Sequence, residues 1–381
     1  MKKIFIFLVC LAGASLFYYQ ANQMNRATVP AHLPAQSDPP DQCASLRNIT
    51  DMKGRQIQVK QPLERVALLG GPTGQVAFIL GVQDKLCAVT NTLKMSQLVR
   101  EIYPRIKDLP GPRTTCGNIQ IETLITSAPD LVIAGDIDGQ IVMDKTRIPV
   151  AVLDDSMGEG IADIKREIEF YGYVLGQPER ARAYGKFLER ISTLVTQRTQ
   201  GIPESKKKTV FQGFGPSHLV TLGGDTFMEE RIRMAGCRNA AASVTTIGKQ
   251  TGLHSGLGEV SMEQVLAWDP DILVVNFGNL KALRTHPQWE HIKAVKTGKV
   301  YHQPAGVFLF NRPTAESAAI YPLWLAGIAH PDRFKDVNIP GLVQEFYRDI
   351  LEFDLSPSQV EDILSGVYES RLMEGIRRQK S

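Results

Sequence analysis

Short apolar runs alternate with segments of helical periodicity from residue 65 onward. Each run stops at a glycine, a threonine or an aspartate, and the first four runs are 66–69, 86–89, 131–134 and 149–153. The segments 73–80 and 121–127 between them have the spacing of helices. Strands that are apolar throughout and alternate with helices are typical of a parallel sheet covered on both faces. We therefore predict an α/β lobe in this part of the chain.

The alternation stops between residues 160 and 200, where apolar residues recur at helical spacing. Gly176 and Pro178 leave open whether this stretch is kinked or divided. A second series begins at Lys208, with strands predicted at 209–211, 219–221, 272–275 and 300–301. The predicted fold class is α/β, with two Rossmann-like lobes joined by one long α-helix and a ligand cleft between the lobes.

The first residues have the layout of a secretory signal peptide. A cationic start, an apolar run from Ile4 to Leu11 and the cleavage-type sequence Ala12-Gly13-Ala14 follow one another. We predict export with residues 1–21 as the signal peptide. An uncleaved membrane anchor is the alternative, because residues 16–19 prolong the apolar stretch. The other predicted segments are a disordered tether (22–47), a first lobe (48–158), a connecting helix (159–200), a second lobe (201–335) and a helical tail (336–381).

The charge balance excludes some classes of partner. Forty-three Lys and Arg against 40 Asp and Glu give a net charge of +3, too small for electrostatic binding of nucleic acid. We therefore expect no nucleic-acid partner. Near the carboxyl terminus, a basic cluster is interleaved with Glu369 and Glu374, a pattern that predicts a solvated helix face; its members are Arg371, Arg377, Arg378 and Lys380.

Four cysteines follow Cys10 in the exported part of the chain. In an oxidising compartment Cys43, Cys87, Cys116 and Cys237 allow three pairings, and the sequence does not select one. The pairing of Cys87 with Cys116 is favoured, since both fall within the first predicted lobe.

Residues at the ends of the predicted strands are the candidates for ligand binding, since open α/β sheets bind ligands at the carboxyl ends of their strands. Two such lobes facing each other place the ligand between them. These candidates are Gly71, Pro72, Thr90, Asn91, Thr115, Asp136, Asp154, Gln212, Phe214, Asn276, Phe277 and His302.

Five ordered motifs carry a resemblance to a known family; they lie at 49–66, 122–133, 227–240, 260–274 and 289–301. The second contains Ala-Pro-Asp-Leu-Val-Ile, and the last contains Ala-Val-Lys-Thr-Gly-Lys-Val-Tyr. Together they resemble the substrate-binding proteins of ABC importers for iron complexes and cobalamin. The resemblance covers roughly residues 49–331.

The resemblance implies a periplasmic, monomeric protein with little hinge bending, which delivers a metal complex to an ABC permease in the inner membrane. It also implies docking to that permease through one acidic side chain on each lobe. Glu230 matches the acid of the second lobe. Gln75 stands where the first lobe of the family usually carries glutamate, and an amide cannot form the same ion pair.

The distribution of histidine favours a ligand that brings its own chelation. Six of the seven histidines lie from His218 onward and His32 lies in the tether, so the first lobe supplies no imidazole to a bare metal ion. Fe(III)-siderophore is therefore the first hypothesis. A corrinoid, haem, or a nickel or cobalt chelate is the alternative.

Such ligands need an aromatic wall and a few charged anchors. The candidate wall residues are Phe214, Phe277, Phe308 and Phe310, although core packing is the favoured alternative for the last two. Arg113 and Arg312 are candidates for pairing with anionic oxygens, and His254 and His302 are further candidates. We predict no catalytic residue, no protein-bound metal and no cofactor; a secreted α/β enzyme and a surface sensor domain are the alternatives from other classes.

Overall fold

The computed structural model describes residues 45–70, 72–114, 118–154, 160–245, 257–276 and 278–378. A hairpin of β1 (Ser45–Thr50) and β2 (Gln56–Gln61) opens the described chain and begins inside the predicted tether. The first lobe is a parallel sheet in the order β4-β3-β5-β6. Its strands are β3 (Val66–Leu68), β4 (Leu86–Ala88), β5 (Leu131–Ala134) and β6 (Val150–Val152). The helices of this lobe are α1 (Val76–Ile79), α2 (Asn91–Met95), α3 (Gln97–Ile102), α4 (Ile121–Thr126) and α5 (Asp136–Lys145).

The second lobe repeats this plan with a parallel sheet in the order β12-β11-β7-β9. Its strands are β7 (Thr209–Gly213), β9 (Arg238–Asn239), β11 (Ile272–Val275) and β12 (Val300–His302), and a separate pair is formed by β8 (Val220–Leu222) and β10 (Leu257–Glu259). The helices are α8 (Phe227–Met234), α9 (Met262–Trp268), α10 (Leu280–Arg284) and α11 (Lys293–Lys296). The two-lobe α/β fold predicted from the sequence is confirmed.

The connecting segment consists of two helices, α6 (Ile161–Val174) and α7 (Pro178–Thr199). Gly176 adopts φ +71°, a left-handed conformation that glycine tolerates and that ends the first helix, and Pro178 occupies the first position of the second. The segment is thus divided at the position that the sequence left open. Helix α7, with 22 residues, is the long helix between the lobes.

Both lobes share one hydrophobic core. One face of each sheet, including Leu68 and Ile133 in the first lobe and Val210 and Val274 in the second, packs into the same cluster as α6 and α7. The opposite faces pack into separate clusters within each lobe. Because the shared core contains the inner faces of both sheets, a change in the angle between the lobes would disrupt side-chain packing.

The carboxyl-terminal helices belong to the shared core. After α12 (Ala315–Ala329) come α13 (Pro331–Phe334), α14 (Ile339–Glu345), a π-helical turn at Phe346–Leu351, α15 (Pro357–Leu364) and α16 (Val367–Arg378). Phe346, Tyr347, Ile363 and Tyr368 are buried in that core. In the described part of the chain no helix is both long enough and apolar enough to cross a membrane.

Candidate functional site

A buried carboxylate holds the loop that follows β12 at the junction of the two lobes. Glu316, in the first turn of α12, is 1% exposed and accepts hydrogen bonds from the backbone N–H groups of Val307 and Phe308, each at 3.3 Å. The hydroxyl of Tyr347 donates to the same carboxylate. The backbone N–H of Glu316 donates to Oε1 of Gln75 in the first lobe at 3.3 Å. The loop 303–314 is therefore fixed between the lobes.

Burial and hydrogen bonding shift the pKa of Glu316 in opposite directions. Removal from water raises its pKa to about 8, and the two backbone N–H donors lower it. Gly306 lies directly against this group: a Cβ at position 306 would meet Oε1 of Glu316 and the hydroxyl of Tyr347 at less than 2 Å (1.8 and 1.9 Å). Glycine is required here by the close approach of the backbone to the carboxylate.

A row of polar side chains continues the inner face of the second sheet beyond its apolar part. Gln212 is level with Val274 on the neighbouring strand, and Asn276 and Gln303 follow the ends of β11 and β12. Their exposed fractions are 1%, 4% and 0% respectively. Side chains two positions apart along a strand point to the same face, so this row extends the apolar face that Val274 contributes to the shared core.

The carboxyl-terminal helix α16 covers this polar row. Glu369 is 1% exposed, and its Oε1 accepts a hydrogen bond from Nδ2 of Asn276 at 3.2 Å. Burial raises the pKa of Glu369 to about 8, partly offset by the Asn276 hydrogen bond and the positive charge of Arg312. The prediction that Glu369 lies on a solvated helix face is therefore wrong. The residue faces the second sheet, since α16 packs into the shared core through Tyr368 and Leu372.

Arg312 is the predicted anchor that the structure brings into this group. Its side chain is half-buried, and Nη1 donates to the carbonyl oxygen of Asn311 at 3.1 Å. Its charge acts on the buried carboxyl of Glu369. Arg312 thus lies beside the polar end of the second sheet, in the loop held by Glu316.

Arg113, the anchor predicted in the first lobe, is paired within the protein. Its Nε lies 2.5 Å from Oδ2 of Asp138, and both side chains are largely buried. Desolvation raises the pKa of Asp138 and the neighbouring guanidinium lowers it. At the strand ends of the same lobe, Nζ of Lys53 lies 2.8 Å from Asp136 and 2.7 Å from Asp154. Both cations at this edge are therefore paired with carboxylates of the protein.

The aromatic candidates are buried in this conformation. Phe214, Phe308 and Phe310 are 2%, 7% and 0% exposed and belong to the shared core. Phe277 and His254 lie outside the described residues, as do Gly71 and Thr115. Nothing in the structure tests whether these side chains contact a ligand, so that assignment stays a prediction.

His302 lies at the end of β12, where its Nε2 is 2.9 Å from the carbonyl oxygen of Gly278. Burial lowers the pKa of His302, and it lowers the pKa of the neighbouring His218 to about 4. Among the described residues, no three side chains of His, Cys, Asp or Glu are grouped closely enough to hold a metal ion. Cys87 and Cys237 are buried free thiols there, whereas Cys43 and Cys116 lie outside the described ranges.

The two predicted docking residues have different environments. Glu230 is exposed at the start of α8, and its Oε2 accepts a hydrogen bond from the backbone N–H of Ile161 at 2.8 Å. It therefore caps the amino terminus of α6, where a negative charge is favourable. Gln75 is 2% exposed and contacts Glu316, so this conformation does not present it to a partner.

We expect Glu230→Ala to lower the stability of the protein by about 1 kcal/mol, because it removes a helix cap, and to lower uptake in cells if the charge docks to the permease. Glu230→Gln is the matched control, since its amide oxygen can still cap α6. Thermal denaturation and uptake assays separate the two effects. Normal uptake by both variants, at normal protein levels, would contradict a docking role.

Three polar residues of the site were not identified from the sequence, namely Gln303, Glu316 and Glu369. Glu316 had a recognisable signal, because it is a lone carboxylate in the otherwise apolar helix α12. A charge in such a helix indicates burial beside a partner. Glu369 had no comparable signal, since the charged residues Arg371 and Glu374 follow it closely in the sequence.

The chain is similar in sequence to known binding proteins. The family model described as "Periplasmic binding protein" matches residues 66–306. The molybdate-binding protein MolA of Haemophilus influenzae is 22% identical over 82% of this chain and 92% of its own length. The vitamin B12-binding protein of Vibrio vulnificus is 24% identical over 66% of this chain and 85% of its own length.

The solved structures support the same fold. A periplasmic solute binding protein from Veillonella parvula superposes with a TM-score of 0.74 at 22% identity, covering 85% of this chain and 98% of that one. The structure of MolA bound to molybdate, described as the cognate binding protein of an ABC transporter, has a TM-score of 0.68 at 20% identity, covering 81% and 99%.

Proposed function

Because this chain belongs to the periplasmic binding protein family, whose model matches residues 66–306, we propose that it captures a metal-containing solute and delivers it to an ABC import permease. The chain is a substrate-binding protein of an ABC importer. That its solute contains a metal is what we propose. It places the protein outside the inner membrane, exported by residues 1–21, with an uncleaved anchor as the alternative.

The observation that carries the proposal is the position of Arg312. Arg312 is half-buried, and its charge acts on Glu369, which accepts a hydrogen bond from Asn276 at the carboxyl end of β11. Open α/β sheets bind ligands at the carboxyl ends of their strands. Because Glu316 fixes the loop that bears it, Arg312 is held in place before a ligand arrives. A guanidinium in such a setting suits a solute that presents carboxylate, catecholate or oxo groups around its metal.

Fe(III)-siderophore remains our first hypothesis for the solute, with a corrinoid, haem, or a nickel or cobalt chelate as alternatives. Molybdate joins them because the relative MolA is named for binding it. All of these present a metal that is already coordinated. We propose binding without catalysis, in a monomer.

Native mass spectrometry of the protein purified from its own periplasm tests this function. We expect a retained mass that corresponds to a metal-containing solute, with the metal identified by elemental analysis. A metal-free organic solute, retained at full occupancy, would contradict the proposal. Titration with ferric citrate, sodium molybdate, cyanocobalamin and haemin then ranks the candidates.

We expect Arg312→Ala to weaken binding of the solute about tenfold or more, the equivalent of roughly 1.4 kcal/mol for one charge-assisted contact. Arg312→Lys should lose part of that affinity, since it retains the charge without the planar fork. Arg147→Ala is the matched control, because Arg147 is exposed before β6, at the opposite end of the first sheet. Calorimetry that finds equal affinities for Arg312→Ala and wild type would remove Arg312 from the site.

A further inference from the structure

The polar group under α16 has more hydrogen-bonding capacity than its members satisfy among themselves. Oε2 of Glu369, Oδ1 of Asn276, Oε1 of Gln212 and Nε2 of Gln303 are buried and lack a hydrogen-bond partner among the described residues. The contacts present are one from Gln212 to Gln303 and one from Asn276 to Glu369. Buried polar groups in folded proteins are nearly always paired, and an unpaired one costs about 1–3 kcal/mol.

The members of this group come from three separate parts of the chain. Gln212 lies on β7, and Asn276 and Gln303 follow the ends of β11 and β12. Glu369, in contrast, comes from the carboxyl-terminal helix. Packing between these parts is close, since a Cβ at Gly366 would lie 2.3 Å from the carbonyl oxygen of Gln303. Helix α16 therefore forms a wall over the sheet end in addition to the two lobes.

The same helix pair, α15 and α16, is also attached to the first lobe. Glu101, in α3, accepts hydrogen bonds from Nε2 of Gln359 at 3.1 Å and from the hydroxyl of Tyr368 at 2.9 Å. Tyr368 and Glu369 are neighbours, so adjacent residues of α16 contact opposite lobes. On the second lobe, the N–H of Ala305 donates to the carbonyl oxygen of Ile363 at 3.1 Å. The pair thus spans from one lobe to the other.

We propose that this polar group is a ligand subsite, that Glu369 contacts the ligand together with Asn276, Gln303 and Arg312, and that α16 is its cover. The subsite takes anionic oxygen atoms, either the carboxylates of a metal chelate or the oxygens of a metal oxyanion. This inference rests on the proposed function. The helix that it adds to the ligand site, α16, lies beyond the segment that the family model matches, which ends at residue 306.

The chemistry of the side chains favours anionic oxygen. Arg312 supplies a positive charge, and the carboxamides of Asn276 and Gln303 supply N–H donors. The raised pKa of Glu369, about 8, keeps this carboxyl protonated at neutral pH, so that it can donate a hydrogen bond instead of repelling an anion. Only the guanidinium among these four side chains then carries a charge.

The test measures affinity for two probes, sodium molybdate and ferric citrate, by isothermal titration calorimetry on the full mature protein. Glu369→Leu removes the polar group while retaining an apolar side chain on the core face, and we expect at least tenfold weaker binding with little change in melting temperature. Glu369→Gln retains a donor and an acceptor and should bind within about threefold of wild type. Glu361→Gln, exposed on α15, is the matched control and should not differ from wild type.

The outcomes separate this inference from the proposed function. If Glu369→Leu folds and binds a probe as tightly as wild type, Glu369 does not contact the ligand and the subsite is wrong. Should Glu369→Leu fail to fold, Gln303→Met replaces it as the test, and we again expect about tenfold weaker binding. If Gln303→Met binds a probe as tightly as wild type, the subsite is wrong. Binding of cyanocobalamin alone would overturn the anionic subsite and leave the proposed function intact, whereas failure to bind any metal-containing solute would overturn both.

The rate at which the ligand dissociates tests separately whether α16 covers the subsite. Tyr368→Phe combined with Glu101→Gln removes the tie between α16 and the first lobe. We expect the bound probe to dissociate at least threefold faster in stopped-flow measurements, because the cover then opens more often. An unchanged dissociation rate would show that α16 does not cover the subsite.

Discussion

Replacing Glu316 by alanine is expected to lower the free energy of unfolding by about 3–5 kcal/mol. The substitution leaves the buried N–H groups of Val307 and Phe308 and the hydroxyl of Tyr347 without their acceptor, and each unsatisfied donor costs about 1–3 kcal/mol. The loop that carries Arg312 would lose its anchor at the same time, so ligand affinity should also fall. Urea denaturation followed by circular dichroism measures the stability.

Glu316→Gln is the control for that prediction, because its amide oxygen still accepts a hydrogen bond at the same place. We expect it to lose less than half as much stability as Glu316→Ala. A midpoint for Glu316→Ala that coincides with that of wild type would show that the carboxylate does not stabilise the loop.

The pH dependence gives a second control with a defined sign. Burial raises the pKa of Glu316 to about 8 from an ordinary value of 4.5, so the folded state holds its proton more tightly than the unfolded state. The corresponding stability is fully present below about pH 4.5 and is lost as the pH rises towards 8. Between pH 5 and pH 8 the melting temperature of wild type should therefore fall more than that of Glu316→Gln, which cannot ionise.

Phe310→Ala is expected to destabilise the protein by about 3–5 kcal/mol, the range found when a buried phenylalanine is truncated in a close-packed core. Phe310 is 0% exposed and lies in the core that both lobes share. The cavity left by the missing ring would therefore weaken side-chain packing in both lobes. Thermal and urea denaturation measure the effect.

Phe353→Ala is the matched control, since Phe353 is only half-buried and packs at the edge of the same core against Phe78. Phe353→Ala should lower the free energy of unfolding clearly less than Phe310→Ala does. If Phe310→Ala is as stable as wild type but binds the ligand more weakly, Phe310 belongs to the aromatic wall of the ligand site and not to the core.

The lobes were predictable because alternating apolar strands and helices depend on local sequence alone. Asn276 could also be placed at the carboxyl edge of the second sheet, since a residue directly after a parallel strand lies at that edge wherever the strand pairs. Arg312 could be placed only in the loop that follows β12. The division of the connecting segment at Gly176 could be anticipated too, because glycine and proline interrupt a helix through their own local conformation.

The role of α16 could not be predicted in this way. Glu369 shares α16 with Arg371 and Glu374, and only the docking of the helix against the second sheet decides which of its faces is covered. The carboxylate of Glu316 illustrates the intermediate case: its helix indicated burial, but the partners in the loop, in Gln75 and in Tyr347 are set by tertiary packing. The sequence therefore located the residues at the ends of the strands, but not the residues that α16 brings next to them.

The shared core also bears on how the chain is made. Its last described helices supply buried side chains to the core that both sheets share, so neither lobe completes its packing without them. Chains with independent domains generally fold the first domain while the rest is still being made. Here the first lobe lacks part of its core until these helices have been synthesised. We therefore expect the two lobes to fold together, as one cooperative unit.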